Sequence, residues 1–319
     1  MSSLVTFGET MLRLSPAPGE RIETATKLDF RTAGAESNVA IAASNLGLDA
    51  MWTSKLPDSP LGRRVVREVQ NHGVATNVTW TAQGRQGAYY IEQGSEPRGT
   101  NVIYDRTDAA IRTATPPELI GGIELTTTDA WYTSGITPAL SEQLQETTAT
   151  LLKRAQRAGA TTAFDLNYRS KLWSPEEARS TCIPLLSWVD VAVIAARDAR
   201  IVLKKTGSDE SILRDLATAY EPDVVVLTEG SDGAIAIDDD GSVYDQPAFP
   251  ADTRDPIGTG DAFVGGFLTE YLESGSVPSA LEYGAATAAL KRTIVGDLAV
   301  VTPAAVDDVI DAAGSGIDR

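Results

Sequence analysis

Asp255-Pro256-Ile257-Gly258-Thr259-Gly260-Asp261-Ala262-Phe263-Val264-Gly265-Gly266-Phe267 is the stretch on which the reading of this chain turns. It follows a loop and opens an apolar helix expected over Gly260–Glu273. Two glycines within three positions let the backbone approach a ligand closely, because no Cβ stands in the way. Gly260 and Asp261 then fall at the helix N-terminus, where free N–H groups and the helix dipole favour an anion such as phosphate. Asp261 can serve there as an ordinary helix cap. A cap gives no reason for the paired glycines before it, so the stretch reads as an anion-binding turn with a carboxylate beside it.

On either side of this stretch, short apolar runs alternate with amphipathic segments of helical length. Strands are expected at Leu4–Phe7, Met51–Leu56, Ala130–Thr133, Ala160–Phe164, Val189–Ile194, Val224–Leu227 and Ala234–Ile237. Helical patterns occupy Val39–Leu46, Leu61–Asn71, Glu142–Ala158, Pro175–Leu186 and Ser211–Tyr220, and the C-terminal part is helical over Ser279–Thr293 and Pro303–Ala312. That alternation argues for βαβ units and a mostly parallel sheet covered on both faces. Two segments break it. Arg21–Arg31 and Gly87–Arg106 look extended but polar, and the second reads as a hairpin turning at Gly94–Gly99. A small antiparallel sheet inserted into an α/β domain suggests a flap over an active site. The expectation is a single domain over 1–319 with a lid formed by about 9–33 and 85–108.

Composition narrows the chemistry. Of 319 residues 42% are hydrophobic, enough for a sizeable core, and no stretch approaches the roughly 20 apolar residues that span a bilayer. Met1-Ser2-Ser3 runs straight into Leu4-Val5-Thr6-Phe7 with no basic and then apolar leader, so a cytoplasmic location is expected. The one cysteine, Cys182, reads as a small buried hydrophobe, and the one histidine, His72, as a helix-end residue stopped by Gly73. Acid–base work therefore falls to carboxylates. The net charge of −17 repels nucleic acid and anionic membrane, which makes both poor partners. Seven lysines against twenty arginines in so acidic a chain fit a high-salt cytoplasm, where the Debye length falls to ~3 Å at 1 M.

The opening stretch resembles the C-terminal signature of the ribokinase-like (PfkB) carbohydrate kinases, Asp-Thr-x-Gly-Ala-Gly-Asp, with Pro256 and Thr259 where that family usually has Thr and Ala. Two further elements resemble the family in order along the chain. Ala33-Gly34-Ala35-Glu36-Ser37-Asn38 is similar to its Gly-Gly-x-x-x-Asn sugar-site signature, and Thr228-Glu229-Gly230-Ser231-Asp232-Gly233 to its nucleotide-side Gly-x-x-Gly turn. The resemblance implies a three-layer α/β/α Rossmann-type sheet with an inserted β lid. It also implies ATP and Mg²⁺ as cofactors, an anion hole at Gly258, Thr259 and Gly260, and Asp261 as catalytic base. Gly230 and Gly233 would border ATP, together with Gly258 and Gly260. The family's Asn-x-x-Glu, which organises Mg²⁺ through water, is replaced by Ala195-Ala196-Arg197-Asp198, so the metal contacts are unassigned.

Within the family, Tyr89, Tyr104-Asp105-Arg106 and Asp165-Leu166-Asn167-Tyr168-Arg169-Ser170-Lys171-Leu172-Trp173 resemble 2-keto-3-deoxygluconate kinases of Entner–Doudoroff-type sugar catabolism. Together with the Gly34 and Asn38 signature, that implies a sugar-acid site containing Gly34, Asn38, Tyr89, Tyr104, Arg106 and Arg169, and Asp297, in the turn after the last long helix, is a further candidate contact. An independent argument comes from charge: a −17 protein that binds two anions needs local cations, and Arg98, Arg106, Arg169, Lys171 and Arg254 are the candidates. The alternatives are a fructokinase, a 2-keto-3-deoxygalactonate kinase or a non-catalytic sugar-binding regulator. A nicotinamide-dependent oxidoreductase is disfavoured, because Phe7-Gly8-Glu9-Thr10 lacks the glycine fingerprint after the first strand. An exposed edge of the lid sheet could also serve a homo-oligomer.

Overall fold

The computed structural model describes residues 2–94 and 97–314. Its strands are β1 (Ser3–Phe7), β2 (Met11–Ser15), β3 (Asp29–Ala33), β4 (Asp49–Pro57), β5 (Ala75–Thr81), β6 (Ala88–Glu92), β7 (Asn101–Asp105), β8 (Ala130–Ser134), β9 (Thr161–Asp165), β10 (Val191–Ala195), β11 (Val224–Thr228), β12 (Gly233–Asp238) and β13 (Val243–Pro247). The helices are α1 (Ala35–Asn45), α2 (Pro60–Gln70), α3 (Pro116–Ile120), α4 (Glu142–Arg157), α5 (Pro175–Leu186), α6 (Ala196–Ile201), α7 (Asp209–Tyr220), α8 (Thr259–Ser274), α9 (Val277–Arg292) and α10 (Pro303–Gly314).

Nine strands form the main sheet in the order β13-β12-β11-β10-β9-β8-β1-β4-β5. From β5 to β11 the neighbours are parallel, and β12 and β13 close one edge antiparallel. Successive residues of the central strands enter opposite cores: Val5, Phe164 and Val225 pack with α4, α5 and α7, whereas Leu4, Ala163 and Val224 pack with α1, α8 and α9. Burial on both faces is why these strands read as unbroken apolar runs rather than alternating ones. Cys182 lies in the first of these cores.

A second sheet, β3-β2-β6-β7, is inserted after β1 and after β5, at the C-terminal ends of two parallel strands. Its outer pairings are antiparallel, and the central β2–β6 pairing is parallel. Arg21–Arg31 is not one extended segment: only the end of it enters β3, while residues 21–28 turn, and β3 pairs with β2, which begins at Met11. Of the expected Gly94–Gly99 turn, residues 95 and 96 lie outside the described residues. In an open α/β sheet, ligands bind beyond the carboxyl ends of the strands, so this sheet stands over the place where a site is expected.

Candidate active site

The turn before α8 is built around Gly258, which caps that helix in the left-handed region at φ 80°. A Cβ there would lie 2.0 Å from the carbonyl oxygen of Asp297. Only glycine satisfies both constraints. At Gly260 the same construction meets nothing within 4 Å, so that backbone faces open space. Among the described residues no side chain caps α8, and its first turn is left able to receive an anion. Gly258→Ala is expected to abolish measurable turnover and lower the melting temperature by several degrees, since a left-handed alanine alone costs about 1–2 kcal/mol. Thermal denaturation and steady-state turnover of the variant check this.

Asp261 does not cap the helix. Its Oδ2 accepts a hydrogen bond from Asn38 Nδ2 at 2.7 Å, and its side chain is nearly buried. Asn38 is delivered by α1, whose N-cap Gly34 must lack a Cβ because the carbonyl of Glu9 would stand 2.1 Å from it. Burial raises Asp261 to about 6, against the opposing pull of the Asn38 hydrogen bond and Arg169. Asp165, at the end of β9, is raised to about 7 by burial and by the Asp261 charge. Glu36, also on α1, is raised to about 7 by complete burial, although Ser134 and Thr137 donate to its Oε1.

Three cavities meet at this turn. One of about 420 Å³ is mainly apolar, and its walls include Gly230, Gly233, Phe263 and Ala288 as well as Thr259 and Gly260. Gly230 and Gly233 both have positive φ in the β11–β12 turn, as their type allows. A second, of about 400 Å³, runs along Asp165, Arg169, Asp198 and Gly258–Asp261. A third, of about 230 Å³, lies between the two sheets and brings together Gly34, Asn38, Tyr89, Tyr104, Arg106, Arg169, Asp261 and Asp297.

The polar groups of the third cavity are interlocked. Arg106 pairs with Glu9, and its guanidinium lies 5.3 Å from the centre of the Tyr104 ring. Tyr89 donates to Asp297 Oδ1 at 3.2 Å, and Asp297 also pairs with the buried Arg13. Glu9 Oε1 and Arg106 Nε, both buried, have no hydrogen-bond partner among the described residues. Arg169 lines the second and third cavities and makes no carboxylate ion pair among the described residues. Arg98, Lys171 and Arg254 do not line the third cavity, although Lys171 lines a neighbouring one with Tyr104 and Arg169. Arg98 pairs with Glu92, Lys171 donates to the carbonyl of Val102 at 2.5 Å, and Arg254 is joined through its backbone to Arg292. Glu9, Arg13 and Glu36 carry no role in the sequence reading, and Asp165 enters it only as the first residue of the Asp165–Trp173 run. A charged residue among small and apolar ones, as Glu36 is between Ala35 and Val39, is the one sequence signal for the first three.

Among the described residues no group of three or more His, Cys, Asp or Glu side chains is placed to hold a metal ion directly. The donor set instead fits a cation carried by phosphate and water: Asp165 and Asp198 line the second cavity, beside the anion-binding turn. Asp198 already accepts from Tyr168 N at 3.3 Å and Arg197 Nε at 2.8 Å.

The sequence pattern of the pfkB family carbohydrate kinases matches residues 1–303. The chain is 61% identical over 318 residues to a 2-dehydro-3-deoxygalactonokinase of Haloferax volcanii, covering 100% of this chain and 99% of that one. It is 27% identical over 301 residues to a 2-dehydro-3-deoxygluconokinase of Thermoproteus tenax, covering 93% and 90%. Among solved structures, the 2-dehydro-3-deoxygluconokinase of Thermotoga maritima superposes with a TM-score of 0.92 at 30% identity, over 97% of this chain and 98% of that one.

Proposed function

This chain belongs to the pfkB family of carbohydrate kinases, and from that premise we propose that it transfers the γ-phosphoryl group of ATP to the terminal hydroxyl of a 2-keto-3-deoxy sugar acid. The Haloferax volcanii relative favours the galactonate epimer. The gluconate epimer, expected from the lid and Arg169 motifs, stands second, with support from the Thermotoga maritima structure. One observation carries the acid rather than a neutral sugar: Arg169, free of any carboxylate ion pair among the described residues, lines the acceptor cavity beside Asp261 in a chain of net charge −17. A guanidinium near Asp165 and Asp261 but in no close ion pair among the described residues suits a carboxylate, which it binds through two parallel hydrogen bonds.

In this reading the acid lies in the third cavity with its carboxylate toward Arg106 and Arg169. Asn38 orients the Asp261 carboxylate, which accepts the proton of the terminal hydroxyl. The backbone of Gly258–Gly260 receives the charge that develops on the phosphoryl oxygens, so the protein contributes positioning and electrostatics rather than a covalent intermediate. The apolar first cavity takes the adenine side. When bound, Mg²⁺ neutralises phosphate charge, and Asp165 and Asp198 would hold its water shell. The β3-β2-β6-β7 sheet acts as the lid that excludes water and limits wasteful hydrolysis.

Turnover of ATP with 2-keto-3-deoxygalactonate, 2-keto-3-deoxygluconate, fructose and ribose, in high-salt buffer with Mg²⁺, tests the assignment. Activity confined to the two keto acids is expected, with the galactonate epimer preferred in kcat/KM. Equal activity on fructose would remove the acid site. The pH profile gives a second check. The base must be ionised, and Asp261 sits near 6 with Asp165 near 7. The acid limb of kcat should therefore fall between pH 7 and pH 5. A limb near pH 4, the ordinary aspartate range, would show that the buried pair does not govern turnover.

A further inference from the structure

Lys291, in the last turn of α9, is a charged residue that the proposed chemistry leaves unused. It is fully buried, and its Nζ makes no carboxylate ion pair among the described residues. Instead it donates to two backbone carbonyls, Asp255 O at 3.1 Å and Ile294 O at 3.2 Å. These belong to different loops. The first opens the turn that leads to Gly258 and Gly260, and the second leads into Asp297.

The Asp255 carboxylate makes the same bridge with opposite polarity. It accepts from Ile257 N at 3.1 Å in its own loop and from Gly296 N at 2.9 Å in the other. Arg13 lies between the two acids, 3.7 Å from Asp255 Oδ2 and paired with Asp297. Two cations and two carboxylates are thus enclosed together, and where the loops touch, the Gly258 backbone packs against the Asp297 carbonyl.

Stability alone does not explain a lysine here. Burial drives its pKa down, and only the more distant Asp255, Asp297 and Asp261 oppose that. An apolar side chain in this alanine-rich stretch of α9 would avoid the desolvation altogether. What an apolar side chain could not do is fix the separation of two carbonyl-bearing loops.

We propose that Lys291 is a positioning residue for phosphoryl transfer: its Nζ holds the Gly258–Gly260 turn and Asp297 in one relative geometry. The inference rests on the proposed reading of that turn as the phosphoryl-binding element. Lys291 touches neither substrate; it sets where the groups that do so stand.

Lys291→Met keeps the volume and removes the donor. It should fold, with a kcat lowered about 10–100-fold, the order that misplacement by 1 Å can cost, and a KM for ATP changed less than about threefold. Lys291→Ala opens a space bordered by the two carbonyls. Methylammonium chloride should restore at least a tenth of the lost kcat in that variant, while tetramethylammonium chloride, which has no N–H, should restore none at equal ionic strength. A folded Met or Ala variant with kcat within about twofold of the parent would overturn the proposal. So would lost kcat with no methylammonium response, or failure of both variants to fold, since either would make Lys291 a matter of stability alone. Asp261→Asn run in parallel separates the two readings. If it keeps normal turnover the site assignment fails, whatever Lys291 does.

Discussion

Asp261→Asn should lower kcat by about 10³-fold, within the 10²–10⁴ that a positioned general base contributes, while leaving the KM values for both substrates within a few-fold. The replacement is isosteric and keeps an oxygen to accept from Asn38 Nδ2, so the cavity geometry survives. It removes only the proton acceptor. The same variant should be more heat-stable than the parent at pH 8. The folded-state value of about 6 lies above the ordinary aspartate value of 3.8, so the favourable linkage is present at low pH and is lost as pH rises through 6. Above that pH the ionised carboxylate weighs against folding by up to about 3 kcal/mol, which asparagine does not. Lost turnover with a raised melting temperature at pH 8, and little difference at pH 4, is the combined signature. Near-normal turnover would remove Asp261 from the chemistry.

The second large effect is expected at Arg106. Arg106→Ala should raise KM for the keto acid about 10–100-fold, from the 1.5–3 kcal/mol of a charge-assisted hydrogen bond, with a smaller fall in kcat. The loss has a second source. Glu9 is almost entirely buried and pairs with Arg106, so its removal leaves an unpaired carboxylate facing an anionic substrate. Glu9→Gln in the Arg106→Ala background should therefore recover part of the affinity. Arg106→Lys, which keeps charge but not the planar fork, should fall between the parent and the alanine variant. Steady-state kinetics with the keto acid and with fructose at high concentration separate recognition from folding. An equal proportional loss on both acceptors would mean that Arg106 only supports the β3-β2-β6-β7 sheet.

Much of this site could be read before the fold was known, because its elements are local. The two glycines and the aspartate of Gly258–Asp261 need a particular backbone within four residues, and the buried strands announce themselves as apolar runs such as Val224–Leu227. The strands not anticipated, β2, β5 and β13, lie in the small inserted sheet or at the edges of the main sheet. There half-exposed residues such as those of Ala-Thr-Asn-Val-Thr-Trp-Thr carry no apolar run. What sequence could not supply was the pairing of distant charges. Arg13 meets Asp297 across 284 residues and Asn38 meets Asp261 across 223, and nothing around Arg13 or Lys291 distinguishes a buried cation from a surface one. Position in the tertiary structure, not residue type, makes Glu9 the partner of Arg106 and Lys291 the link between two loops.

The most direct test of the proposed function is ³¹P NMR of the product formed from ATP and 2-keto-3-deoxygalactonate by the parent enzyme. The account predicts one new phosphomonoester resonance split into a triplet by two methylene protons, which identifies phosphate on the terminal carbon, in step with ADP formation. A phosphomonoester coupled to a single methine proton, or ADP accompanied only by inorganic phosphate, would contradict it.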